Sequence, residues 1–136
     1  MWGAAPAALA QTAASQAPLK LIVPFTPGTG IDLIARTLGP KLSQRLNRPV
    51  VVENRVGASG NIGTEAVARA APDGATLLVS VNTLVMNRAL YPGLSFDAVK
   101  DLTAVSQTSW GQLLLVTHAQ SSLKSASDLV AAARKQ

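Results

Sequence analysis

The sequence has no cysteine and few aromatic residues. Without cysteine the chain can form neither a disulfide nor a thiolate metal site, although it remains compatible with any cellular compartment. Aromatic residues make up only 4% of the chain, so a core must consist mainly of leucine, valine, isoleucine and alanine. Charged residues account for 14% and hydrophobic residues for 48%, which favours a packed globular chain over a disordered one.

A compact basic patch is also lacking. The net charge is +5, but the lysines and arginines are spread along the chain. Because nucleic-acid binding needs a basic patch or stripe, we expect no nucleic-acid partner and only a mild attraction for anions. The single histidine, His118, has no cysteine and no cluster of carboxylates near it in the sequence. The sequence therefore predicts no catalytic residue, no metal site and no cofactor.

Residues 1–18 are small, alanine-rich and uncharged. Ala8, Leu9 and Ala10 before Gln11 fit the cleavage pattern of a secretory signal peptide, but a charged start and a long apolar stretch are missing. We interpret these residues as the remnant of a signal peptide, with a disordered alanine-rich leader as the alternative. No stretch of the sequence is long and apolar enough to predict a transmembrane helix.

A strand, a glycine-rich turn and a helix are predicted for residues 21–46. The apolar run of residues 21–23 leads into a turn with two prolines and two glycines, and apolar residues then recur every three or four positions. That spacing places them on one face of a helix. Gly28 and Gly30 can adopt positive φ, and the free N–H groups at the start of a helix attract anions. We weigh an anion site at this turn against an ordinary strand-to-helix turn.

The same order of elements repeats after the first helix. Residues 50–53 are a β-branched run typical of a strand buried on both faces, a helix is predicted for residues 61–71, and a third strand for residues 76–80. The order β-α-β-α-β predicts an α/β fold with a parallel sheet. Three loops would then leave the same edge of the sheet and form a cleft for a small anionic ligand. They are residues 27–30, 57–60 and 81–83.

The remaining segments predict two more strands and two more helices. The expected elements are a short helix at residues 84–90, strands at residues 102–108 and 113–117, and a last helix at residues 125–134. Ser125 is placed to be the N-cap of the last helix, and Asp128 would complete a capping box in its weaker acidic form.

Three polar residues near the turns admit two roles each. Asp32 either complements the dipole of the first helix or contacts a cationic group of the ligand, such as an ammonium. Asn61 is either an N-cap or a ligand contact. Arg55 either pairs with a ligand carboxylate or with Glu53, and the short separation in sequence favours the structural pair.

Two other hypotheses compete with a site that binds a small anion. Gly28 and Gly30 between a strand and a helix, with Glu53 at the distance of a ribose-binding acid, would also fit the dinucleotide-binding domain of an enzyme. Against it, Leu33 occupies the third glycine position and Pro27 removes one backbone donor. The third hypothesis is a fragment without a function of its own.

Several strings of the sequence together resemble one known family. The segment VPFTPGTGIDLIARTLGPKLSQRLNRPVVVENRVGASGNIGTEAVARAAPDGATLLV, followed by NRALYPGLSFDAVKDLTAVS and SLKSASDLVAAARK, is similar to the substrate-binding receptors of tripartite tricarboxylate transporters, the Bug or TctC-like proteins. The similarity extends over residues 19–135. The PFTPG turn, VVVENR, GASGNIG and AAPDG are weak signals singly and specific in combination.

The resemblance implies a periplasmic receptor with the two-lobed α/β fold of periplasmic binding proteins and no catalytic activity. Such a receptor closes on a small organic carboxylate and delivers it to membrane transporter subunits. Residues 19–108 would form the N-terminal part of the first lobe, and residues 109–136 the hinge and the first strand and helix of a truncated second lobe. An unpaired strand edge there would favour self-association.

The resemblance also implies which residues hold the ligand. In the family, loops matching residues 24–32 and 57–63 hold a ligand carboxylate largely through backbone groups, and residues 80–83 lie beside them. Thr29 stands where a glycine is usual and Ile31 where a small polar residue is common, so the resemblance implies the location of the site but neither the exact path of the first loop nor the ligand preference. The candidate ligand-binding residues are Pro27, Gly28, Thr29, Gly30, Asp32, Ser59, Gly60, Asn61, Ser80, Asn82 and Thr83.

Overall fold

The predicted strand–turn–helix unit is present at the start of the fold. In the computed structural model, which describes residues 17–112 and 114–135, β1 (Leu19–Val23) is followed by α1 (Gly30–Leu46). Of the predicted leader, residues 1–18, only Ala17 and Pro18 belong to the described part. The helix ends at Asn47, which adopts a left-handed conformation with φ 46°.

The second and third strands are also present, with slightly different bounds from those predicted. They are β2 (Val50–Asn54) and β3 (Thr76–Leu78), so β3 ends two residues earlier than expected. A short 3-10 turn (Ala58–Gly60) leads into α2 (Asn61–Ala68), and α3 (Thr83–Leu90) follows β3.

The three strands form one parallel sheet in the order β2-β1-β3. Leu19 pairs with Val50 across one edge of β1, and Leu21 pairs with Leu77 across the other. The central position of β1 explains its composition, because a strand with neighbours on both sides is mostly apolar, and four of its five residues are buried while Lys20 is exposed. The prediction of an α/β fold with a parallel sheet is confirmed.

Helix α1 covers the sheet through small and apolar side chains. Ile31 and Ala35 are buried against Val23. One turn further, a Cβ on Gly39 would touch the side chain of Val52 at 3.6 Å, so the helix approaches β2 closely there. The core of the sheet thus lies directly beneath the turn that joins β1 to α1.

The predicted fourth and fifth strands are absent from the described residues. Residues 102–108 and 114–117 form no strand there, and Leu113 lies outside the described part. A strand exists only when its backbone pairs with that of a neighbouring strand, and the sheet of the described residues contains β1, β2 and β3 only. Their side chains are correspondingly exposed, with Val105 at 79% and Leu115 at 75%. The predictions of these two strands were wrong.

The chain divides into two compact units, with the boundary between Ser106 and Gln107. The second unit contains α4 (Ala126–Ala133), whose N-cap is Ser125 as predicted. The Ser125 hydroxyl accepts from the N–H of Asp128 at 3.1 Å, and the Asp128 carboxylate accepts from the N–H of Lys124 at 2.9 Å. None of the helices that the structure describes has the length and apolar character needed to cross a membrane.

Candidate functional site

The loops that follow the three strands meet at one edge of the sheet. Because the strands are parallel, their carboxyl ends lie side by side, which is where ligands bind in open α/β sheets. We name these loops in chain order: the first loop is residues 24–29, the second loop residues 55–60 and the third loop residues 79–82.

The first loop is braced by the carboxylate of Asp32. One oxygen, Oδ2, accepts from the N–H of Gly28 at 2.9 Å and from Nε of Arg36 at 3.0 Å. The other, Oδ1, accepts from Nδ2 of Asn54 at 2.8 Å. The residue is only 2% exposed. These three bonds, that of Arg36 first, lower the pKa of Asp32 from 3.8 to about 2, so the carboxylate is ionised at neutral pH.

Asn54, at the end of β2, is a part of this network that the sequence analysis missed. Its Nδ2 also donates to the carbonyl of Phe25 at 3.0 Å, and its Oδ1 accepts from Arg36 at 2.8 Å. The side chain therefore fixes the first loop to the neighbouring strand. An amide at the end of a strand that begins with three valines, at the carboxyl edge of the sheet, was the available signal, although β2 is half-buried rather than buried on both faces as the sequence predicted.

This brace decides which backbone donors remain free. Gly28 has φ +84°, as the sequence allowed, but its N–H is bound by Asp32. Gly30 does not need positive φ and is the first residue of α1. Among the described residues, the N–H groups of Gly30, Ile31 and Asp32 have no hydrogen-bond partner. The donors available to an anion are therefore at the start of the helix rather than at Gly28.

The rest of the first loop is more exposed. Pro27 and Gly28 lie at the surface. Thr29 is half-buried, and its hydroxyl donates to the carbonyl of Thr26 at 2.9 Å. The Thr29 hydroxyl thus closes the turn by an internal hydrogen bond.

The second loop consists largely of left-handed backbone. Gly57, Ala58, Ser59 and Gly60 have φ values of 137°, 45°, 56° and 92°. For the two residues with a Cβ, Ala58 and Ser59, this conformation costs roughly 1–2 kcal/mol each, so the surrounding structure must hold the loop in place.

Two glycines let the second loop and α2 pack against the first loop. Gly60 is buried, and a Cβ there would lie 3.4 Å from the side chains of Phe25 and Pro24. At Gly63 the approach is closer, since a Cβ would lie 2.8 Å from both the carbonyl oxygen of Arg55 and Cβ of Pro24. The two loops are therefore packed into a single edge.

Helix α3 holds the second loop from the other side. Asn87 is 2% exposed, and its Nδ2 donates to the carbonyl of Ser59 at 2.9 Å and to Oδ1 of Asn61 at 2.7 Å. The Ser59 hydroxyl also bonds the hydroxyl of Tyr91 at 2.7 Å. The sequence analysis missed Asn87. Its place one helical turn after Thr83, which puts both on one face of α3, was the only signal.

Asn61 and Thr83 each carry a polar atom with no partner. Asn61 is not an N-cap, because α2 begins at Asn61 itself and Gly60 is the N-cap. In the part of the chain that the structure describes, Nδ2 of Asn61 and Oγ1 of Thr83 are the buried side-chain polar atoms without a hydrogen bond. Asn61 is 6% exposed. Unpaired buried donors are costly, which is why such atoms mark sites that a ligand or water completes.

The other candidates take simpler positions. Ser80 is half-buried in the third loop, and Asn82 is exposed at the N-cap of α3 without a side-chain cap bond. Arg55 pairs with Glu53 at 2.7 Å, which confirms the structural pair that the sequence favoured. A dinucleotide-binding domain would use the carboxylate of Glu53 to bind a ribose, and in this structure that carboxylate is paired with Arg55.

A separate open depression of about 370 Å³ lies between α3 and the segment after it. Leu84, Arg88 and residues 91–98 line it, and none of the predicted site residues does. Arg88 is paired there with Asp97 at 3.2 Å. Among the described residues, no group of three or more histidines or carboxylates is placed to hold a metal ion.

A family model described as the tripartite tricarboxylate transporter family receptor matches residues 34–136. The chain belongs to this family. BugT of Bordetella pertussis is 42% identical over 116 residues, which cover 84% of this chain and 36% of BugT. The chain thus spans about a third of the length of this relative.

Two solved structures with bound ligands resemble the fold. MatC from Rhodopseudomonas palustris with bound malate is 36% identical, with a TM-score of 0.58 over 62% of this chain and 29% of MatC. A second R. palustris protein, with adipate, is 28% identical, with a TM-score of 0.66 over 88% of this chain and 40% of its own. The relatives are receptors and binding proteins rather than enzymes.

Proposed function

We propose that this chain is the ligand-binding first part of a periplasmic receptor that captures a small organic carboxylate for a tripartite tricarboxylate-type transporter. The observation that carries the proposal is the set of unpaired donors at the sheet edge. The N–H groups of residues 30–32 and Nδ2 of Asn61 have no partner among the described residues. Malate and adipate in two structural neighbours are ligands of the matching chemistry.

The proposed binding mode follows from the start of α1. One carboxylate of the ligand accepts from the free N–H groups of Gly30 and Ile31, and the positive end of the helix dipole favours its charge. Asp32 is the brace of the loop rather than a ligand group in this mode, because its oxygens accept internal hydrogen bonds. Contact of Asp32 with a ligand ammonium stays an untested alternative. Thr83 and Ser80 would contact the ligand from the third strand's side.

The described residues provide one side of such a site. A receptor that closes on its ligand excludes water, and each hydrogen bond then contributes more to affinity. We therefore expect the chain alone to bind carboxylates only at roughly millimolar affinity or weaker. Chemical-shift titration by NMR detects binding in that range.

Gly30 offers a clean test of the backbone donors. Replacing it by proline removes the N–H of the first helical position, where proline is well tolerated, and Thr29 already has the extended backbone that precedes a proline. A Cβ at Gly30 meets nothing within 4 Å, so Gly30→Ala keeps the donor and serves as the matched control. We expect Gly30→Pro to lose roughly tenfold or more in affinity for malate or adipate, since a bond to a charged group is worth about 1.5–3 kcal/mol.

The two variants separate the outcomes. Unchanged affinity in Gly30→Pro would contradict a role for this N–H group. An equal loss in Gly30→Ala would show that crowding rather than the missing donor is responsible. If the wild-type chain shows no shift with any carboxylate of a broad panel, the hypothesis of a fragment without its own function is favoured instead.

Self-association is part of the same proposal. Leu114, Leu115 and Val116 are 75–81% exposed in the second unit, and contiguous exposed apolar side chains favour association. Light scattering of the wild-type chain should give a mass above that of a monomer. Leu115→Lys should lower that mass, and a wild-type chain that stays monomeric at high concentration would contradict this expectation.

A further inference from the structure

The carbonyl of Ser59 and the side-chain amides of Asn87 and Asn61 form a chain of hydrogen bonds, which we name the relay. Its direction can be deduced from its first partner. Which end of an amide is the oxygen and which the nitrogen follows from the hydrogen-bond partners of each atom. The first partner is the backbone carbonyl of Ser59, which can only accept. The atom of Asn87 that lies 2.9 Å from it must therefore be the nitrogen, Nδ2.

The same nitrogen determines the orientation of the next amide. An amide nitrogen carries two protons and accepts no hydrogen bond. Nδ2 of Asn87 lies 2.7 Å from the side chain of Asn61, so the atom of Asn61 that faces it must be the oxygen, Oδ1. The carbonyl of Ser59 thus fixes the orientation of both side chains, although it contacts only the first.

The other end of Asn61 is consequently a donor. Its Nδ2 faces away from Asn87, is buried with the rest of the residue and has no partner among the described residues. Asn61 is also the first residue of α2, where the helix dipole is positive. Both features favour an oxygen that accepts hydrogen bonds and carries negative charge.

We propose that Asn87 is a positioning residue that, through Asn61, makes this edge selective for carboxylate oxygens over neutral amide groups. The inference rests on the proposed function for its ligand. The residue itself has no contact with the ligand, and it acts by forcing Asn61 to present Nδ2 rather than Oδ1. The Tyr91 hydroxyl is hydrogen-bonded to the Ser59 hydroxyl and thereby helps to hold Ser59, whose carbonyl is the first acceptor of the relay.

Replacement of Asn87 by aspartate reverses the relay. A carboxylate at this position faces the carbonyl of Ser59 and Oδ1 of Asn61 with acceptors only. Asn61 would then turn its nitrogen towards residue 87 and its oxygen towards the ligand. Met86→Glu is the matched control, since it adds the same charge one residue earlier on α3 at a side chain that is 52% exposed.

The test compares adipate with its neutral diamide by NMR titration. We expect the wild-type chain to prefer adipate. In Asn87→Asp the ratio of the two affinities should fall by roughly tenfold or more, whereas Met86→Glu should leave it within about twofold because an exposed charge is screened. A ratio that is unchanged in Asn87→Asp, or that falls equally in Met86→Glu, would overturn the proposal.

A second measurement needs no ligand. In Asn61→Asp the new oxygens still accept from Asn87 and the charge lies at a helix N-terminus, so the melting temperature should stay near that of the wild type. In Asn87→Asp it should fall clearly. Equal losses, or the reverse order, would refute the relay even if carboxylates bind.

The two measurements keep the inference separate from the proposed function. If the wild-type chain binds no carboxylate, the proposed function fails while the melting temperatures still decide the relay. If Asn87→Asp does not fold, Asn61→Asp decides the selectivity. It should fold and yet lose adipate, and retained adipate affinity would contradict the proposal.

Discussion

Two apolar runs of similar composition have opposite environments in this chain. The run LKLIV of β1 is the centre of the sheet, and Leu21 and Ile22 are each 2% exposed. The run LLLVT at residues 113–117 forms no strand in its described part, residues 114–117, where Leu114 is 81% and Val116 79% exposed. The comparison teaches that an apolar, β-branched run has side chains suited to a strand, but that the strand forms only where neighbouring strands pair with its backbone.

The neighbours of β1 are easy to identify. It is hydrogen-bonded to β2 on one side and to β3 on the other, and α1 covers it. Every strand that adds to an existing edge satisfies its own polar groups and buries apolar area at once, at about 25 cal/mol for each Å². The later run gains neither within the described residues.

Truncation of one side chain in each run should give the largest difference. Ile22→Ala leaves a cavity in the centre of the sheet and should cost about 2–5 kcal/mol. Leu115→Ala removes an exposed side chain and should change stability by less than about 0.5 kcal/mol. Urea unfolding followed by far-UV circular dichroism measures both. Similar losses in the two variants would show that residue 115 is buried in solution, which would contradict the comparison.

The sequence was sufficient for the sheet because each of its elements carries a local signal. Apolar runs, glycine-rich turns and a spacing of three or four residues predicted β1, α1, β2, α2 and β3 within a few residues. The strands expected at residues 102–108 and 113–117 carried the same local signal. They were wrong because pairing is a property of the whole fold, and no local pattern specifies whether a partner is present.

A second contrast of this kind concerns two glycines. A Cβ at Gly63 would lie 2.8 Å from Cβ of Pro24 and from the carbonyl of Arg55, whereas a Cβ at Gly111 would meet nothing within 4 Å. Gly63→Ala should therefore push α2 away from the first loop and cost about 1–3 kcal/mol. Gly111→Ala is the control and should change the melting temperature little. An equally stable Gly63→Ala would mean that α2 moves freely relative to the sheet edge.

The sequence indicated the sheet edge at which the candidate site lies, but it did not indicate which hydrogen-bond donors are free there. Parallel strands bring the three loops together, so the edge could be predicted from the order of elements alone. The donor at Gly28 was expected to be free, but it is engaged by Asp32, four residues later. Asn54 and Asn87 act on residues 22 and 28 positions away, and no sequence spacing indicates such contacts.

The third prediction uses the ionisation of Asp32. Its pKa is about 2 in the folded chain and 3.8 without its partners, so the stability that its charge contributes is present in full above the higher value. It is lost as the pH falls from about 3.8 towards 2. The melting temperature of Asp32→Asn should be lower than that of the wild type at neutral pH, and the difference should shrink over that interval.

Subtraction of the two curves isolates this residue, because Glu65 and Asp97 also have a lowered pKa and titrate in both proteins. Asp128→Asn is the matched control in the second unit, where the N–H of Lys124 and the Ser125 hydroxyl lower the pKa of Asp128. It should leave the unfolding of the sheet unchanged at every pH. A constant difference between wild type and Asp32→Asn from neutral pH to pH 2 would contradict the role of the charge.

The smallest effect is expected at the N-cap of α4, which has eight residues and buries none of them. Such a short helix depends strongly on its cap, because packing contributes little to holding it. The Ser125 hydroxyl satisfies the N–H of Asp128, and Ser125→Ala removes that bond at a cost of about 1 kcal/mol to the helix. Amide exchange measured by NMR should therefore become faster within α4.

Ser127→Ala is the control, because the Ser127 hydroxyl bonds only that of Ser125 among the described residues, at 2.7 Å. Exchange that is unchanged in Ser125→Ala, or equally fast in both variants, would show that α4 is held by packing that its exposed surface does not reveal.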